Sequence, residues 1–111
     1  MDIAKQVAHF TALPYETKRA KVIDMLRQLQ RTHETFAMFY KTVSSVKNIS
    51  ESSLAYLYQS ILEIAQELES GRKDQAQDKI RKMSEVMMAI KKQEEQERNR
   101  EGDPDETLKN I

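Results

Sequence analysis

The chain has 111 residues, which bounds it to one domain with a modest core. It carries 18 basic and 18 acidic residues, so net charge is zero and no global electrostatic argument favours nucleic acid or an anionic membrane. Cysteine is absent, which excludes disulfides and thiolate metal sites. With 39% hydrophobic and 32% charged residues, only two glycines and only two prolines, the composition suits helices with solvated faces and lacks the tight turns of hairpins. Met1 to Lys5 shows no basic region leading into an apolar run, so no signal peptide is expected. No stretch approaches the roughly 18 apolar residues that span a bilayer. The expected location is cytoplasmic.

The first predicted helix runs from about Asp2 to Thr11, with Asp2 as its cap and Ile3, Val7 and Phe10 on one stripe. Pro14 then marks the first turn of a second helix, with Glu16 favourable beside its positive end. This second stretch reads as long, about Tyr15 to Val46. Val22, Met25, Leu26, Leu29, Phe36, Phe39, Tyr40, Val43 and Val46 fall on one face, and His33 projects into its middle. Thr32-His33-Glu34-Thr35 is its weakest part for helix propensity, where a break is the alternative to a continuous helix. The polar segment Ser44 to Ser50 ends the stretch.

A third helix is predicted from Glu51 to Ser70, capped by Ser50 and stopped by Gly71. Its apolar residues, Leu54, Leu57, Tyr58, Ile61, Leu62, Ile64, Ala65 and Leu68, cover nearly half its circumference, which requires two neighbours. The fourth, about Asp74 to Arg98, carries a narrow seam of Ala76, Ile80, Met83, Met87 and Ile90, with Val86 beside it. Beyond Ile90 the chain is charge-balanced and helix-prone, with nothing to bury. In the tail, Asp103 and Glu106 resemble a capping box, and Leu108 and Ile111 lie three apart as a small apolar anchor. Residues after about Glu101 are expected to be mobile.

The expected fold is all-α: an antiparallel bundle or extended hairpin of three to four helices. Residues 1–90 form the bundle domain, and 91–111 form a charged extension and tail. A continuous second helix of about 45–50 Å would outrun a third of about 30 Å. The uncovered part would expose Val22, Ile23 and Leu26 to a second copy or another protein.

Catalytic signals are lacking. Two glycines cannot build a phosphate loop, and there is no Gly-x-Ser-x-Gly and no Glu-x-x-His pair. His9 and His33 are not at metal-ligand spacing, and His33 reads as a packed, hydrogen-bonded core histidine. Met83 and Met87 read as core fillers, whereas Met88 lies off the stripe and is the clearest exposed contact residue. Phe36, Phe39, Tyr40 and Tyr58 read as core aromatics, and Tyr56 as a partly exposed edge. Two basic stretches, Lys18, Arg19, Lys21, Arg27, Arg31 and Arg72, Lys73, Lys79, Arg81, Lys82, read as solvated faces with interleaved acids.

The expected function is therefore a non-catalytic protein-interaction or assembly module that self-associates, with no cofactor and no metal. Its candidate contacts are Val22, Ile23, Leu26, Met88, Leu108 and Ile111. The alternatives are a small chaperone or adaptor holding a partner helix in a groove and, ranked lower, a nucleic-acid-binding helical protein.

Overall fold

The computed structural model describes residues 2–100. Among them the structure is all-helical, with five helices: α1 (Ile3–Thr11), α2 (Tyr15–Leu29), α3 (Thr35–Ser45), α4 (Glu51–Glu69) and α5 (Lys73–Arg100). The anticipated count of three to four is corrected to five because the long second stretch divides.

The division falls at the segment of weakest helix propensity. The Leu29 carbonyl accepts from the backbone N–H of Thr32 (2.9 Å) and of His33 (3.2 Å) and from the Thr32 hydroxyl (2.8 Å). A short polar side chain that bonds the backbone locally offers an alternative to continuing the helical ladder. His33 Nδ1 accepts from the Thr35 N–H at 3.2 Å, satisfying one of the donors that α3 leaves open at its start.

The remaining boundaries follow local chemistry. Asp2 accepts from the Lys5 N–H and Ser50 from the Ser53 N–H, each at 3.1 Å, capping α1 and α4. Pro14 stands at the cap of α2 rather than inside its first turn, with its carbonyl accepting from Lys18. Gly71 has a φ of 75°. From there its N–H reaches Leu68 O and the Arg72 N–H reaches Glu67 O, the paired closure of a glycine-terminated helix.

α4 is central and packs on α1, α2 and α5, so its wide apolar face meets three neighbours; α3 lies on α2 and α5. The core draws on every helix, including Phe10, Leu26, Phe36, Phe39, Leu57, Ile64 and Met83, with Val46 and Ile49 from the linker before α4. Phe10 stacks on Tyr58 at 4.2 Å between ring centroids, and Lys21 Nζ stands 5.6 Å from the same ring, so α1 and α2 both grip α4 there. Phe36 and Phe39 meet edge to face at 5.6 Å.

The α3–α4 linker is held by side chains one turn apart on α2. The Tyr15 hydroxyl donates to Ile49 O at 2.6 Å and accepts from the Ile49 N–H at 3.2 Å. Arg19 donates to the carbonyls of Lys47 (2.9 Å), Val43 (3.1 Å) and Ser44 (3.4 Å), supplying donors to the open end of α3.

The break removes the length mismatch. Once α3 folds back on α2, Val22 and Leu26 are fully buried within the chain. The expectation that they lie uncovered and await a partner is thereby corrected. Ile23 is half-buried against the same core.

Candidate interaction surface

Among the described residues, a shallow trough lies over α4 and one face of α5 points outward. The trough arises where α5 folds back along α4 through the Gly71 turn. Lys79 Nζ bonds Glu63 at 2.8 Å and lies 3.6 Å from Glu67, which Arg72 also engages. These four residues tie the two helices along one rim.

The hydrogen bond from Lys79 lowers the Glu63 carboxyl below the ordinary carboxylate value; partial burial opposes the shift and the Gln59 amide adds to it. The bond to Arg72 lowers Glu67 in the same way. Lys79 moves upward in return, held chiefly by its bond to Glu63.

One part of the trough, about 220 Å³, is lined by Tyr56, Gln59, Ser60, Glu63, Lys79 and Lys82. A more open part shares Gln59, Glu63 and Lys79 and continues to Gln66, with Ile3, Ala4 and Val7 of α1 as its apolar wall. Nothing in the sequence marks this trough, because Glu63 and Lys79 are 16 positions apart and meet only through the hairpin.

The outward face of α5 was partly legible. Met83 and Met87 are buried, at 0% and 3% exposure, whereas Met88 is 70% exposed, the highest among the large apolar side chains described. Tyr56 is exposed, as its edge position implied. Met38 and Leu68 are exposed as well. Leu68, expected on the covered face, is instead exposed at the penultimate position of α4, in the last turn before Gly71. Leu108 and Ile111, the Asp103–Glu106 pattern and the expected mobility after Glu101 lie outside the described residues.

His33 is half-buried at the α2–α3 corner, its ring edge-on to Phe36 at 5.9 Å, and its Nδ1 is occupied by the Thr35 N–H. The first basic stretch is largely engaged in the fold. Lys18 is buried and bonds Glu51 at 3.1 Å, Arg19 holds the end of α3, Lys21 faces Tyr58, and Arg27 pairs with Asp24. Among the described residues, no group of three or more histidine, aspartate or glutamate side chains converges as a metal site would require. No described helix is long and apolar enough to cross a membrane.

No family model, curated protein or solved structure matches the chain.

Proposed function

We propose that the five helices form a bundle that serves as a non-catalytic protein-interaction or assembly module, working in the cytoplasm through association with further copies of itself. The observation that carries this reading is Met88. Its neighbour Met87 belongs to the buried seam of α5, which runs from Ala76 to Ile90, yet Met88, about 100° further round the helix, presents a flexible thioether to solvent. Methionine adapts to a partner's surface at little cost, and adaptable protein-binding faces use it.

The trough over α4 supports a second reading, an adaptor that holds a partner's helix. Its wall of Ile3, Ala4 and Val7 offers apolar contact, and Gln59, Gln66 and Lys79 offer polar anchors.

Light scattering after size exclusion, over a range of concentrations, tests the first reading. A mass that rises from one copy toward two or more is expected. A constant single-copy mass overturns it. In that case, recovery of one stoichiometric partner, lost on Val7→Asp, is the outcome expected from the adaptor reading.

A further inference from the structure

We infer that the outward face of α5 is a seam between two copies of this chain, paired antiparallel about a two-fold axis at Met88; this rests on the self-association reading above. Arg81, Glu85, Met88, Lys92 and Glu95 are all exposed, and steps of three, four and seven place them on one strip. The strip lies opposite the buried seam of Ala76, Ile80, Met83, Met87 and Ile90, so it points away from α3 and α4.

The order of charges along the strip is self-complementary. Arg81 stands seven positions before Met88 and Glu95 seven after. Glu85 stands three before and Lys92 four after, on the same flank. An antiparallel two-fold brings each position before Met88 against its counterpart after Met88 in the other copy. Arg81 then meets Glu95 of the second copy, Glu85 meets Lys92, and both pairs occur twice. Met88 packs on Met88 at the centre. A parallel pairing sets Arg81 on Arg81 and Glu95 on Glu95, so the charges select orientation as well as partner.

The side chains are placed to do this. Arg81 touches Asp78 within its own helix at 2.6 Å, yet 70% of the side chain is exposed, leaving most of its donors facing outward. α5 has 28 residues against 19 in α4, so its outer face offers a longer strip than the helix it packs on. With a single apolar residue at its centre, the pairing is weak and sensitive to salt.

Sedimentation of the full chain at low and high salt, with charge variants, tests the seam. Wild type is expected to dimerise with rising concentration and less so at high salt. Arg81→Glu and Glu95→Arg, each alone, should weaken association by about tenfold or more, and the two together should restore it to within about threefold. Because the chain has no cysteine, Met88→Cys should also cross-link to itself through a short bifunctional thiol reagent, while Arg81→Cys should not. A dimer indifferent to both charge reversals, or a double variant no better than either single one, overturns this seam and leaves self-association standing elsewhere. Equal cross-linking at both positions overturns the antiparallel order. A wild type that stays a single copy throughout overturns both the seam and the reading beneath it.

Discussion

Met87 and Met88 are neighbours in the chain and opposites in the fold: one is 3% exposed and the other 70%. The two faces of α5 share methionine, but the inner seam is otherwise alanine and isoleucine and the outer strip is otherwise charged. The inner face is decided by volume, because its buried seam packs on α3 and α4 and an interior packs as densely as an organic crystal. The outer strip around Met88 is exposed, and in the proposed seam its charge order sets the pairing. Substitutions on the inner face should therefore act on stability, and those on the outer face on association.

The largest effect is expected from Met83→Ala on the inner face. Met83 is fully buried, and truncating such a methionine costs about 2–5 kcal/mol. Denaturant unfolding should show the midpoint falling with little change in slope. A loss below about 1 kcal/mol would mean that the inner face tolerates voids and that the contrast is overdrawn.

Next in size is Gly71→Ala. A Cβ there meets no atom within 4 Å, so crowding is not the issue; the φ of 75° is. A non-glycine residue held in that region costs about 1–2 kcal/mol, because the Cβ crowds the backbone of its own turn. The expected readout is lower thermal stability without loss of helix content. A neutral result would show that the turn relaxes and that the direction of α5 is set by its seam alone.

A smaller effect is expected on the rim between the two faces. Glu63 is held below its ordinary carboxyl value by Lys79, so the pair's contribution is present above the unfolded carboxyl pKa. It is lost as pH falls through the lowered folded value. Lys79 is raised, so its share is present below the unfolded lysine pKa and is lost only as pH rises through the raised one. Both side chains are 30% exposed, which limits the gain to a few tenths of a kcal/mol up to about 1. Glu63→Gln should lower stability at neutral pH by that amount and leave strongly acidic pH little changed, so that the acid limb of a stability–pH profile flattens. An unchanged acid limb would remove the pair from the account.

The smallest effect on folding belongs to Met88→Ala, within about 0.5 kcal/mol of wild type by thermal unfolding. A large loss there would place Met88 in the inner face's regime and break the comparison.

Legibility divides along a related line. The seam of α5 was readable residue by residue, from Ala76 to Ile90, because spacing alone carries a helix's apolar stripe. Asp2, Ser50 and Gly71 were readable because each acts on backbone groups within five positions. The core reading of His33 did not hold: it is half-buried in the break between α2 and α3, edge-on to Phe36, and its Nδ1 accepts from the Thr35 N–H that the start of α3 leaves open. The roles of Tyr15 and Arg19 were not readable. Both reach across 24 or more positions to a linker whose place depends on where α3 turns back.

The sequence by itself determined that the described residues are helical, where the helix boundaries at Asp2, Ser50 and Gly71 fall, and which side of α5 faces inward. These rest on propensity, capping and periodicity, which act over a turn or two. Only the tertiary structure decided that the long second stretch breaks after Leu29, and with it the fate of Val22 and Leu26. Thr32 to Thr35 are weak helix formers that permit either outcome locally. The decision belongs to burial: with the break there, α3 packs on α2, and Val22 and Leu26, worth about 1.5–3 kcal/mol each, are buried within the chain, which outweighs the few helical hydrogen bonds given up.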